Sequence, residues 1–345
     1  MGKSGKFTGR EPDAVKSALA IAVVGSTGLV GREFIPLLKK SSLPVRELHL
    51  FSRKIDQKIL SACDLIFFVS ADSVSKKLAP ALARKGAWVI DDSAAFRLDP
   101  VVPLVIPEVN ANSLSPARRL IAGPNCTVTG LAVAGNAIHR LIGVREVRLA
   151  SYQSVSGAGK AALHEFFSQV LGSVKRLRLA PESPAPIFSI PKGQILPAPI
   201  AFNVIPQVGG FDAEGISSEE RKAAAELRKL WAAPHLKISA TAVRTPVIRG
   251  HSLSVWLTLA KETPLSRIRD ILKKTPGVVL QNSPYATPLS WAGRGPVAVS
   301  RLRRGTHSRE ICLWIVSDNL LKGAALNSIQ IAEHLLKRGW LKARP

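Results

Sequence analysis

Cysteine is scarce: the 345 residues hold three, Cys63, Cys126 and Cys312. An odd number at wide spacing excludes a disulfide framework and a zinc site of regular spacing, and it suits a reducing compartment; no metal is expected. Long apolar runs are missing too. Every hydrophobic stretch is broken by Gly, Pro or a charge within about 18 residues, which excludes a membrane-spanning helix. The first twenty residues lack a separate apolar core and a cleavage signal. Glu11 and Asp13 speak against an acid-free transit peptide. A cytoplasmic location and no membrane partner are therefore expected. No repeat of 20–50 residues is visible. Acidic residues are few: 24 against 48 Lys and Arg, a net charge of +24. Such a field attracts polyanions. The basic residues are scattered, however, with small clusters at 175–178 and 301–304. Nucleic-acid motifs and a low-complexity arm are absent, so a dedicated nucleic-acid partner is not expected.

What is present is ample core material: 46% hydrophobic and 21% charged residues, close to a globular average. The length predicts about two domains. The first third alternates strand and helix. Strands are expected at 19–24, 47–51, 64–69, 87–91 and 120–122, with helices at 28–40 and 73–85. Pro36 predicts a kink or an early end to the first helix. This rhythm implies a parallel sheet with helices on both faces. Beyond residue 131 the texture changes. Strands at 147–153, 238–244, 251–259 and 310–317, with helices at 161–171, 218–231, 264–275 and 321–337, predict an α+β domain on a mostly antiparallel sheet. The Pro-rich segment 180–199 reads as an irregular loop.

Gly25-Ser-Thr-Gly28-Leu-Val-Gly31 follows the first strand and opens the first helix. Glycines here permit a tight turn, let backbone N–H groups approach a pyrophosphate, and let helix pack on strand. The anion then sits at the positive helix end. An NAD site carries an acid at the end of the second strand. Here that stretch is Phe51-Ser52-Arg53-Lys54, with no acid. The planar fork of Arg53 suits a 2′-phosphate, so NADP is expected over NAD.

Pro124-Asn125-Cys126-Thr127 precedes an apolar helical stretch. A thiol at a helix N-terminus is expected to have a lowered pKa and to serve as a nucleophile when a base and oxyanion donors are near. Cys63 and Cys312 lie in apolar segments and read as core residues. Seven histidines are candidate bases. His251, at a strand start after a turn, leads slightly over His49, His139, His164, His235, His307 and His334. Gln153 and Arg244 lie on strands that, if neighbours, could bring them to one cleft, which composition alone does not show.

Together these motifs resemble the aspartate-semialdehyde dehydrogenase family. The likeness runs from about residue 21 to 336. It includes the glycine turn, the Asn125-Cys126 motif, Ser151-Tyr-Gln-Ser-Val-Ser-Gly-Ala-Gly159, Phe202-Asn-Val-Ile-Pro-Gln207, Arg244-Thr-Pro-Val-Ile-Arg-Gly-His-Ser252 and Asp318-Asn-Leu-Leu-Lys-Gly-Ala-Ala-Leu-Asn327. The resemblance implies a Rossmann-like dinucleotide-binding domain at 18–127 plus 318–345, and a catalytic and dimerisation domain at 128–317. It implies Cys126 as nucleophile, Gln153 as orienting residue and His251 as acid/base. Arg97, Asn125, Glu219, Lys222 and Arg244 would bind substrate. Gly25, Thr27, Gly28, Val30, Ser52, Arg53, Gly157 and Asn319 would bind NADP. The substrate would be β-aspartyl phosphate, reduced to aspartate semialdehyde in amino-acid biosynthesis, and the enzyme a homodimer or homotetramer.

Four features depart from the family pattern. The segment 53–64 is short, which is expected to thin the adenine side of the site and shorten the sheet. Asp72 replaces a usual glycine, Asp92 replaces a usual asparagine, and the net charge is +24. An impaired paralogue serving as a binding or scaffold protein is therefore one alternative. A related acyl-phosphate reductase, such as N-acetyl-glutamyl-phosphate reductase, is another.

Overall fold

The computed structural model describes residues 18–179, 190–281 and 283–344. Five short strands form a parallel sheet: β1 (Leu19–Val24), β2 (Val45–Phe51), β3 (Leu65–Phe68), β4 (Trp88–Asp91) and β5 (Leu120–Ala122), in the order β2-β1-β3-β4-β5. Every residue of β1 is buried. Leu19, Ile21 and Val23 enter one apolar cluster, while Ala22 and Val24 enter another on the opposite face. Strand alternation with both faces covered is why β1 reads as a continuous apolar run.

Helix α1 (Leu29–Lys40) seats Phe34 and Leu38 in the first cluster. The early end foreseen at Pro36 does not occur, and the helix runs to Lys40. Pro36 is exposed, so the carbonyl it leaves unpaired meets solvent. A six-residue helix, α2 (Gln57–Ala62), carries the chain from the edge strand β2 across β1 to β3. The Asp56 carboxylate caps it by accepting from the N–H groups of Lys58 and Ile59, and Leu60 anchors it in the second cluster. Helix α3 (Asp72–Arg84) buries Ala79 and Leu82 in that cluster as well.

After β5 the chain enters α4 (Cys126–Ile142), whose residues Thr127–Asn136 are buried all round. Such a helix belongs inside a core. It packs against a six-stranded sheet of order β7-β6-β8-β11-β10-β9. The strands are β6 (Val144–Gln153), β7 (Lys237–Arg244), β8 (His251–Leu259), β9 (Val278–Leu280), β10 (Val297–Arg304) and β11 (Glu310–Ser317). The β6–β8, β8–β11 and β10–β11 pairs are antiparallel, whereas β6–β7 and β9–β10 are parallel. Strands β9 and β10 were not anticipated. The three residues of β9 are too short to show a period, and the outer half of β10 is basic.

Helix α5 (Gly159–Leu179) follows β6 and is longer than expected. Of the predicted loop 180–199, residues 180–189 lie outside the described residues, and 190–199 form neither helix nor strand. Helices α6 (Ser218–Leu230) and α7 (Leu265–Lys274) lay Leu227, Leu230, Ile268 and Leu272 on the same core as α4. A capping box between Ser217 and Glu220 starts α6. After β11, a π-helical turn (Leu321–Ala325) leads into α8 (Leu326–Lys337), which returns to the first sheet. There Ile329, Ala332 and Leu335 pack in the cluster of Leu19, Ile21 and Trp88.

Candidate functional site

A cavity of about 300 Å³ lies where β3, α4, β6, α6, β7 and the turn before α8 converge. Val30, Asp92, Arg97, Asn125, Cys126, Gln153, Gly157, Glu219, Arg244 and Asn319 line it. Cys126 opens α4, and the Asn125 side chain caps the helix by accepting from the Thr127 N–H at 2.7 Å. Cys126 Sγ is 3.3 Å from His251 Nε2. The backbone N–H of Ser154 donates to His251 Nδ1 at 3.1 Å. A backbone N–H can only donate, so Nδ1 is the acceptor. The neutral ring then carries its proton on Nε2, facing the sulfur.

The ring is positioned from several sides. Gly250 holds φ +91, a left-handed conformation that favours glycine, and Pro288 stands 3.2 Å from where a Cβ would sit. The Gly250 N–H donates to Asn319 Oδ1 at 2.8 Å, and Ser154 Oγ donates to the same oxygen at 3.2 Å. Register pairs Gln153 with Arg244 on the parallel strands β6 and β7, so both side chains reach the cleft. Arg244 Nη1 donates to the Ser154 carbonyl at 2.8 Å.

Helix α6 brings two carboxylates. Glu219 accepts from Asn125 Nδ2 at 3.1 Å, Thr127 Oγ1 at 2.9 Å and Gln153 Nε2 at 3.2 Å. Two turns on, Glu226 is 1% exposed. It accepts the Asn125 N–H at 2.6 Å and pairs with Arg97 Nη1 at 3.3 Å. Arg97 Nη2 donates to the Asp92 carbonyl at 2.6 Å, while its buried Nε has no partner.

The electrostatics correct one expectation. Burial pushes the Cys126 thiol up to about 11, and the Glu219 carboxylate pushes the same way. Arg97, Arg244 and the Thr127 hydroxyl pull it down without reversing the shift. Burial, followed by the nearby Arg244 charge, pushes the His251 imidazole down to about 3. The resting pair is therefore a neutral thiol and a neutral imidazole, not the lowered thiol that a helix N-terminus alone predicts.

The other candidates read from the sequence lie outside the cavity lining. Gly25 adopts φ +96, and a Cβ there would meet the Val69 carbonyl oxygen at 2.5 Å. A Cβ on Gly31 would meet the Gly25 oxygen at 2.4 Å. The turn is thus a close-packed strand-to-helix step, and the start of a helix presents N–H groups of the kind that hold a pyrophosphate. The N–H groups of Gly25 and Ser26 bond to the Phe51 carbonyl, which places the turn at the end of β2. Lys160 Nζ contacts the Thr27 carbonyl. Ser52 and Arg53 are exposed just past β2, and Lys222 is half-buried on α6; none of the three lines the cavity, nor do Gly25, Thr27 and Gly28. Asp72 bonds the Ala94 N–H at 3.0 Å and does not line the cavity either.

Glu226 and Ser154 were missed by the sequence reading. The seven-residue spacing from Glu219, which keeps one helix face, was the available signal for Glu226.

Two family models match the chain: "Semialdehyde dehydrogenase, NAD binding domain" over residues 53–117, and "Semialdehyde dehydrogenase, dimerisation domain" over residues 136–322. The aspartate-semialdehyde dehydrogenase of Synechocystis sp. is 35% identical, covering 94% of this chain and 99% of its own. That of Bacillus subtilis is 36% identical, over 92% and 98%. A crystal structure of aspartate semialdehyde dehydrogenase II complexed with ASA from Vibrio cholerae is similar with a TM-score of 0.84 and 32% identity, over 93% and 98%. With both domains matched and relatives aligned along nearly their full length, the chain belongs to the semialdehyde dehydrogenase family.

Proposed function

We propose that this chain is an NADP-dependent aspartate-semialdehyde dehydrogenase that forms a thioester on Cys126. The observation that carries the reading is the 3.3 Å approach of Cys126 Sγ and His251 Nε2, enclosed by Gln153, Glu219 and Arg244.

The roles follow from the geometry. The Arg244 fork keeps nitrogens beyond Nη1 for a substrate carboxylate. Glu219 suits the substrate ammonium, which favours an aspartyl substrate over an N-acetylated one that has no such charge. An ammonium bound there also offsets the repulsion that raises the Cys126 thiol. Arg97 Nε and Asn125 would take the phosphoryl group. Lys222 is assigned to the incoming phosphate by family resemblance alone. Cys126 sulfur then attacks the acyl carbon, the carbonyl–phosphate bond breaks, and phosphate leaves with the bonding pair and takes up the proton the thiol gives up. Gln153 orients the thioester.

The dinucleotide would lie along Gly25, Thr27, Gly28 and Val30 toward Gly157 and Asn319, with Ser52 and Arg53 at the ribose. When bound and reduced it supplies the hydride. As the acid/base at this site, His251 holds its Nε2–H against the oxygen that turns negative when hydride arrives; the C–S bond then breaks, the aldehyde leaves, and a proton from water returns to the Cys126 sulfur beside the ring. The intact cluster argues against an impaired paralogue.

We assign 18–127 plus 318–345 to the cofactor domain and 128–317 to the catalytic and dimerisation domain. A homodimer or homotetramer belongs to the same proposal. Among the described residues no helix is long and apolar enough to cross a membrane, which accords with the cytoplasmic location we propose.

The test mixes the protein with aspartate semialdehyde, inorganic phosphate and NADP and follows NADPH absorbance. Phosphate-dependent signal is expected. No signal together with no NADPH binding would overturn the reading. Arg53→Ser is expected to lower the preference for NADP over NAD by about tenfold, the loss of one charge-assisted contact. The ratio of kcat/KM for the two cofactors reads it.

A further inference from the structure

Two carboxyls stand side by side at the end of β4, and they are treated differently. Asp91 is fully buried and accepts from Ser75 Oγ at 2.7 Å, Ser93 Oγ at 2.7 Å and the Ser93 N–H at 3.2 Å. Asp92 lines the cleft beside Cys126 and Arg97. Its carboxyl accepts one bond, from Ser328 Oγ of α8 to Oδ1 at 2.6 Å. Its Oδ2 is buried with no donor. Arg97 bonds the Asp92 backbone carbonyl instead of the carboxylate. Gly123 closes over Oδ1, where a Cβ would come within 2.2 Å. A buried carboxylate oxygen without a donor strongly disfavours the charged form. Burial lifts both carboxyls, and Asp92, with one donor against the three of Asp91, is the one driven further toward the neutral form.

We propose that Asp92 is a proton-linked gate on the anion site: neutral, it admits a phosphoryl group beside Arg97 and Cys126; ionised, it repels that group and competes for the Arg97 charge. The inference rests on the phosphoryl site proposed above. Burial first, then the neighbouring Asp91, lifts the Asp92 carboxyl to about 7, while Ser328 and Arg97 hold it down. The other charged or titratable groups around it are Cys126 of α4, Glu219 and Glu226 of α6, and Arg244 of β7. Cys126 sits near 11 and does not change charge in this range. The sign follows: below the Asp92 pKa the group is neutral and phosphate binds; above it the charge appears and affinity falls.

The test is protection of Cys126 from iodoacetamide by inorganic phosphate, read as the half-protecting concentration from pH 6 to 9. This reading cancels the thiol's own titration, and it needs no turnover. The ratio of wild type to Asp92→Asn cancels the titration of phosphate itself. It is expected near one at pH 6 and about tenfold, weaker for wild type, by pH 8. Ser328→Ala removes the one donor to the charged form and is expected to move the break to higher pH. A constant ratio across the range overturns the gate and leaves the enzyme reading in place. Absence of protection in both proteins at every pH overturns the gate together with the phosphoryl site, while NADPH formation tests the enzyme reading separately. Should Asp92→Asn fail to fold, infrared spectra of wild type decide. A protonated carboxyl band present at pH 6 and lost by pH 8.5 supports the gate; no such band at pH 6 overturns it.

Discussion

Cys126→Ala is expected to lower turnover by roughly 10⁴- to 10⁶-fold, the scale seen when a covalent nucleophile is removed. Alanine keeps the Cβ, which packs against the π-turn at Gly323, so the fold and NADPH binding are expected to survive. Binding by fluorescence titration and the NADPH-absorbance rate measure the two halves of this statement. A variant that turns over within tenfold of wild type would exclude the thioester. The resting thiol also makes a pH prediction. Above about pH 3 His251 is neutral, and below about pH 11 Cys126 keeps its proton. Alkylation by iodoacetamide is therefore expected to climb steeply from pH 6 to 9 with no neutral plateau, because each pH unit multiplies the thiolate fraction by about ten. A thiolate–imidazolium pair would give a plateau instead.

The second large effect concerns stability. Glu226→Ala strips the carboxylate from a buried Arg97 and leaves the Asn125 N–H without its acceptor. Removing one member of a buried pair leaves an uncompensated charge and costs about 3–5 kcal/mol. Denaturant unfolding at fixed protein concentration reads this, since an oligomer's stability depends on concentration. Glu226→Gln retains an acceptor for Asn125 and is expected to lose less. Replacing both partners, as Arg97→Met with Glu226→Leu, is expected to recover much of the stability without recovering activity. A loss below about 1 kcal/mol for Glu226→Ala would show that Arg97 finds other compensation.

These two residues also show what can be read in a linear chain. Cys126 and His251 announce themselves because each sits at the end of an element, beside residues that disfavour regular structure: Pro124 and Asn125 before one, Gly250 before the other. Gln153 and Arg244 end their strands, and the parallel pairing that aligns them is hidden because pairing partners lie far apart in sequence. Glu226 is hidden for another reason. In Ser-Glu-Glu-Arg-Lys-Ala-Ala-Ala-Glu-Leu-Arg-Lys-Leu it resembles one more solvated charge, and burial is decided only when α6 lies across the start of α4. Asp92 was legible as an unusual residue, but its proton was not, because burial is what retains it and burial is decided only in three dimensions. The thiol was misread for the same physical cause. The helix end is local and visible in sequence, whereas burial and the Glu219 charge are tertiary.

The return of α8 to the first sheet has a consequence for synthesis. A ribosome releases β1 to β5 early, yet the apolar surface around Leu19, Ile21 and Trp88, which α1 covers in part, is not closed until Ile329, Ala332 and Leu335 emerge. The same late segment delivers Asn319 to the His251 turn and Ser328 to Asp92. Until that segment is made, an unfinished polypeptide thus carries a sticky, half-built nucleotide domain, the kind of species that chaperones are needed to shield.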